Sequence, residues 1–253
     1  MRLRNEPPFP HGHSVSVIAT FSLMAALTFL SAGRLQASVE DEIEKQIHES
    51  HKHLPRYNHG GQDLLALANG AKDKTIQSVS APPAVGILNS ADTDGERLIE
   101  AEVCRADAII VGTVNHFKTF LSADNSTVFT DYKIDVEQVI YNRSSVMLQS
   151  GKPIIVAIAG GTYLSGAVKI DQVGFDQPRL IPTRKYVFVL KMLPDATSFA
   201  TSGYFSVQYI DYTRLHVVSD HPFRDYVNRF LQTLSVDSLA DYVKRTAVKC
   251  TAK

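Results

Sequence analysis

The sequence predicts a mainly β domain outside the cytoplasm: an antiparallel barrel of about five to seven strands, with C-terminal helices packed on it and a poorly constrained helical extension ahead of it. Three observations predict this. First, an apolar run, Ala108–Val114, is followed by a segment, 128–137, in which Val128, Thr130, Tyr132, Ile134 and Val136 alternate with Phe129, Asp131, Lys133, Asp135 and Glu137. A period of two puts one face on a core and the other in water. Second, about six or seven strand-like segments, these two included, recur at roughly ten-residue spacing with no helices between them, the pattern of a barrel or sandwich. Third, the chain opens with Arg2 and Arg4, an apolar run over Val15–Leu30, and then Ser31-Ala32-Gly33, with Ala37 a little beyond. That is the layout of a secretory signal.

The organisation read from this is a signal peptide or membrane anchor over 1–37, a helical and linker extension over 38–95, and the barrel with its helices over 96–253. The stretch Ser14–Gly33, about 20 residues, is also long enough to span a bilayer if left uncleaved, so contact with a membrane is expected only in that case. Either way the bulk of the chain is expected to be exported, periplasmic or extracellular. Without 1–37 there remain 23 basic and 25 acidic residues. A nearly neutral domain lacks the basic field that nucleic acid requires. Two cysteines, Cys104 and Cys250, allow a single intramolecular pairing in an oxidising compartment. The bridge closes a loop of about 147 residues, worth about 4–5 kcal/mol in the chain-entropy picture.

In order, 38–53 reads as a helix, with Ser38 as its cap, acids in its first turn and a thin apolar face of Val39, Ile43 and Ile47. Gln62–Lys72 reads as a short second helix, 73–95 as linker and Glu96–Arg105 as a helix delivering Cys104. Strands are predicted at Ala108–Phe117, Thr127–Tyr141, Pro153–Ala159, Tyr163–Val173, Lys185–Met192, Tyr204–Ile210 and Arg214–Val218. Gly166, inside the fourth, suggests a bulge or tight bend. Phe223, Tyr226, Val227, Phe230, Leu231 and Leu234 form a wide apolar helical face, with Asp220 as cap and Pro222 in the first turn. A last helix starts at Ser235 or Asp237.

Candidate chemistry is sparse. His48, His51, His53 and His59 form the one metal candidate, with Glu44, His48 and His51 on one helical face. The spacing is one residue short of H-E-x-x-H, and the plainer expectation is a solvated, polar helix end. Asp131, Asp135 and Glu137 read as the wet face of a strand. His116 and His216 sit at strand ends. Gly160-Gly161-Thr162 lacks the lysine and helix of a phosphate loop and reads as a turn. There is no G-x-S-x-G, and nothing argues for a catalytic constellation or a cofactor.

The segment from Cys104 through Ala106-Asp107-Ala108-Ile109-Ile110-Val111-Gly112-Thr113-Val114, then Phe129-Thr130-Asp131-Tyr132, Gly160-Gly161 and Tyr186-Val187-Phe188-Val189-Leu190, resembles an uncharacterised family of secreted bacterial proteins. More distantly it is similar to netrin-like and tissue-inhibitor-of-metalloprotease barrel domains, over roughly 98–250. The resemblance implies an OB-like topology and a binding role. Those inhibitors place a cysteine at the free N-terminus, whereas Cys104 is internal, so inhibition through that cysteine is not implied. The function expected is therefore a non-enzymatic binding or interaction domain for an unknown protein or small ligand. The alternatives are a metal-binding protein using the His48–His59 segment and a secreted protease inhibitor.

Overall fold

The structure is a computed structural model; it describes residues 41–55, 57–58, 60–80, 94–174, 179–195, 197–201, 207–211, 214–217 and 223–251. The chain divides into two compact units, Met1–Gln46 and Ile47–Lys253. The expected leader, His59, Asp220 and Pro222 lie outside the described residues. Among those described, no helix is long and apolar enough to cross a membrane.

Helix α1 spans 41–52, and its 47–52 portion belongs to the second unit. Helix α2, Leu64–Gly70, is capped by Asp63, whose carboxylate accepts from Ala66 N–H. The expected linker instead contains a strand, β1, Thr75–Ser80. Helix α3, Gly95–Arg105, is capped by Asp94 and ends at Ala106. Two long strands follow, β2, Ala108–Leu121, and β3, Val128–Asn142. They are joined by a turn in which Asp124 accepts from the Ser122 and Ser126 hydroxyls and from Ser126 N–H. Strand β4 is Pro153–Ala159.

The single strand expected at Tyr163–Val173 is a hairpin of β5, Gly161–Ser165, and β6, Val168–Gly174. Gly166, at φ +59°, makes the tight turn between them; a residue without a Cβ takes that conformation at no steric cost. Next come β7, Lys185–Met192, and β8, Phe199–Thr201, a three-residue strand inside an expected loop. Strands β9, Val207–Asp211, and β10, Arg214–Val217, and helices α4, Arg224–Leu231, and α5, Val236–Thr251, complete the chain. Ser235 Oγ accepts from Ser238 N–H at the start of α5, as a cap should.

The fold is mainly β, with two sheets. The larger has the order β10-β9-β7-β2-β3-β4-β8, and β8 is also hydrogen-bonded to β7. Strand β8 thus runs parallel to β4, with Phe199 opposite Val156, and antiparallel to β7, with Thr201 opposite Leu190. The smaller sheet, β1-β6-β5, includes a parallel β1–β6 pair, Thr75 opposite Lys169.

Strand β2 is buried on both faces at its start, as its continuous apolar run predicts. Ile109 and Val111 face Leu98, Val103, Leu231, Leu239 and Val243 of α3, α4 and α5. Ala108, Ile110 and Val114 face the opposite core, with Tyr132, Ile134, Val156, Phe188 and Phe199. Cys104 and Cys250 form a disulfide, Cα–Cα 5.4 Å, that ties the end of α3 to the end of α5.

Helices α3 and α4 approach so closely that a Cβ on Gly95 would collide with the main-chain carbonyl of Tyr226. Helix propensity alone favours alanine over glycine here. Contact decides otherwise: Gly95→Ala is expected to lower the unfolding free energy by about 1–3 kcal/mol, the usual cost of overpacking, measured by urea denaturation.

Candidate functional site

The convergent polar residues of the described chain lie where the end of α1 crosses β3. His48, His51, Leu54 and Tyr57 recur every three residues, and all four are buried. They cover the Phe129–Asp131 side of β3. Tyr57 stacks on Phe129 with ring centroids 4.7 Å apart, and His48 packs against Phe120 at 4.8 Å. Leu54, Tyr57, Phe129, Ala157, Leu193 and Ala200 make a separate small core there. The segment is also fixed from the β2–β3 turn: Ala123 N–H donates to Lys52 C=O at 2.9 Å, Asp124 N–H to Asn58 Oδ1 at 3.1 Å and Ser126 Oγ to Tyr57 C=O at 3.2 Å.

This corrects the expectation of a wet strand face. Asp131 is 2% exposed, because α1 and the turn after it lie on the side of β3 that the alternation assigned to water. Asp135 is partly exposed and Glu137 exposed, the latter paired with Lys185 and bonded to Thr113 Oγ1. The end of α1 is likewise not solvated at His48, 5% exposed, or His51, 0% exposed. His53 is exposed. His116, on β2, is exposed, and His216, on β10, is partly buried.

A carboxylate buried this deeply must be met by donors. His48 Nδ1 stands 2.7 Å from Asp131 Oδ2, and His51 Nδ1 stands 2.9 and 3.0 Å from its two oxygens. On the other side of the same ring, His51 Nε2 is 2.6 Å from Ser198 Oγ and 3.2 Å from Asp195 Oδ2. Ser198 Oγ donates to Asp195 Oδ2, while Thr197 and Ser198 N–H groups donate to Asp195 Oδ1, so Asp195 closes its own turn after β7. Both ring nitrogens of His51 therefore face carboxylate oxygens. Burial pushes the Asp195 carboxyl up. The Ser198 hydroxyl, the two N–H groups and the charge of His51 outweigh it, and the net is a carboxyl held below its usual range.

Ser198, His51 and Asp131 have the connectivity of a serine–histidine–aspartate triad, and all three are buried. Ser198 is 0% exposed. Its hydroxyl donates to Asp195 Oδ2 and so is already engaged within its own turn. The chemistry this arrangement can perform is to hold α1 onto β3. Among the described residues, no three His, Cys, Asp or Glu side chains stand placed to hold a metal ion. Within the expected metal set, His48 and His51 come together on Asp131, and His53 points away from burial.

Sequence reading missed Asp195 and Ser198 altogether. The available signal was the spacing 48-51-54-57, which puts two imidazoles in line with a leucine and a tyrosine and so marks a buried stripe. The chain matches no protein-family model, and no curated protein is similar to it in sequence.

Two outcomes follow from the geometry. Asp131→Ala leaves two histidines without their carboxylate and is expected to cost about 3–5 kcal/mol, against about 1–3 kcal/mol for Ser198→Ala, by denaturant unfolding. The Asp195 carboxyl is lowered on folding from an ordinary value of 3.8. Its stabilising contribution is therefore complete above that value and is lost as pH falls through the lower, folded one. Acid unfolding of an Asp195→Asn variant is accordingly expected to show a weaker pH dependence below the ordinary carboxylate range than the parent.

Proposed function

We propose that this chain is an exported, non-enzymatic binding or interaction domain built on an OB-like barrel. The observation that carries the non-enzymatic reading is the state of the convergent polar side chains: His48, His51, Asp131 and Ser198 are buried, and Asp195 is engaged by three donors from its own turn. Residues in that condition serve the fold. Perturbed groups that act on substrates sit in clefts with a reachable reacting atom.

The barrel reading is supported by the circuit of ladders β7–β2–β3–β4–β8 and back to β7. A three-strand meander, a parallel return to its third strand and an antiparallel closure onto the fourth is an OB-like order, and it agrees with the likeness to netrin-like domains. Export is supported by the Arg2, Arg4 and Val15–Leu30 layout, and the Cys104–Cys250 disulfide is at home in an oxidising compartment. The partner class is an unknown protein or small ligand, reached outside the cytoplasm.

The test pairs chemistry with location. Purified wild-type protein is assayed against ester, peptide and glycosidic substrates beside Ser198→Ala and His51→Gln, and the N-terminus of the exported protein is sequenced. The expected result is no turnover that depends on Ser198 or His51, and a mature chain in the periplasm or medium starting near 34–38. Hydrolysis lost on Ser198→Ala would overturn the non-enzymatic reading; retention in the cytoplasm would overturn export.

A further inference from the structure

Helix α5 buries one side and leaves an apolar hollow at the edge of the other. Leu239, Ala240, Tyr242 and Val243 lie in the core shared with α3, α4 and the sheet, and Ala247 is buried beside them. Val248 is not covered: it is 71% exposed. With Tyr141, Lys244 and Ala247 it lines a hollow of about 320 Å³ where α5 meets the end of β3. A lone exposed valine needs no explanation, but this one walls a concave space beside a half-buried tyrosine.

Two donors at this hollow are uncommitted. Among the described residues, neither the Lys244 ammonium nor the Tyr141 hydroxyl makes a side-chain hydrogen bond or an ion pair. Beyond Asp241 the exposed charges of α5 have one sign: Lys244, Arg245 and Lys249. A cation in the last turn of a helix complements its dipole, which accounts for Lys249. Lys244 lies about two turns before the helix ends at Thr251, so the dipole does not account for it.

We propose that this hollow binds a small amphipathic anion, a carboxylate carried on a short aliphatic chain. The hydrocarbon lies against Tyr141, Ala247 and Val248, and Lys244 supplies the counter-charge for the carboxylate, a charge-assisted contact at the rim. The Tyr141 hydroxyl is the second donor on offer. Volume sets the size of the ligand. At about 30 Å³ for each non-hydrogen atom, the share of one water in the liquid, the hollow holds on the order of ten such atoms. A neutral ligand of the same length loses the contact with Lys244, and a longer one leaves its tail in water. The proposal rests on the small-ligand arm of the binding-domain reading above and names the ligand class.

The test titrates octanoate into the purified, isotope-labelled protein and follows the backbone amide resonances. Saturable shifts are expected at Tyr141 and across 244–248, with a Kd of about 1 mM, the level open to so small a ligand. Octanamide, neutral and of equal length, is expected to bind about fivefold more weakly, the upper end for an exposed charge pair. Lys244→Met removes the charge and keeps the apolar reach, so it should weaken octanoate by the same factor and leave octanamide unchanged. Val248→Ser should weaken both. Lys244 and Val248 are exposed, so neither variant disturbs the core, which circular dichroism checks. The comparison of octanoate with octanamide on the parent protein needs no variant. Absence of saturable shifts, shifts centred elsewhere, or equal affinity for the two ligands would overturn the proposal. Shifts caused by phosphatidylglycerol vesicles and not by octanoate would make this face a membrane contact and overturn it too. None of these results bears on hydrolysis or export, so failure here is distinct from failure of the binding-domain reading.

Discussion

Strand β3 is buried on both faces around Asp131, and a carboxylate in that position sets the terms for everything laid on it. One side of the strand, at Tyr132, Ile134 and Val136, belongs to the core enclosed with β2, β4 and β7. The other side, at Phe129 and Asp131, would expose an aromatic ring if left bare and needs a cover that is apolar at its edges and hydrogen-bonding at its centre. The end of α1 meets both demands through a single stripe of residues. The rest of the sheet needs no such device: its second large apolar face, around Ile109 and Val189, is covered by α3, α4 and α5 and locked by the Cys104–Cys250 bridge.

These two covers differ in kind. The helical cover is a continuous hydrocarbon interface, and burying it is favourable by about 25 cal/mol for each Å² removed from water. The α1 cover mixes a stacked aromatic pair with a buried, hydrogen-bonded polar centre, whose desolvation offsets much of its attraction. The serine–histidine–aspartate connectivity follows from the His51 ring lying between Asp131 and Asp195.

Much of the scaffold was legible in the sequence, because the information was local. The period-two pattern of β3, the apolar start of β2, the wide apolar stripe of α4 and the pair of cysteines each reflect a contact that a strand or helix makes along its own length. What escaped reading was non-local or short. Strand β1 pairs in parallel with β6, Thr75 against Lys169, and a polar six-residue segment gives no sign of a partner so distant. Strand β8 has three residues, below the length at which alternation can be seen. Gly166 was legible as a break in a strand, and only the observed pairing of Tyr163 with Ile170 makes that break a hairpin turn.

The site was the least legible part for the same reason. The alternation of β3 assigned Asp131 to water because a strand's sequence describes two faces and is silent about what covers each. His48 and His51 were visible as a metal candidate by residue type. Their actual partners, Asp131, Asp195 and Ser198, lie about 80 to 147 residues away in sequence and converge only in the fold.

The central claim is that the His51–Asp131 contact fastens the 47–58 segment onto β3. Hydrogen exchange of the full-length protein, wild type against Asp131→Asn, tests it most directly. The account predicts that protection is lost across 47–58 while the amides of β2, β3 and β7 keep theirs. Unchanged protection of 47–58, or its loss together with that of the whole sheet, would contradict it.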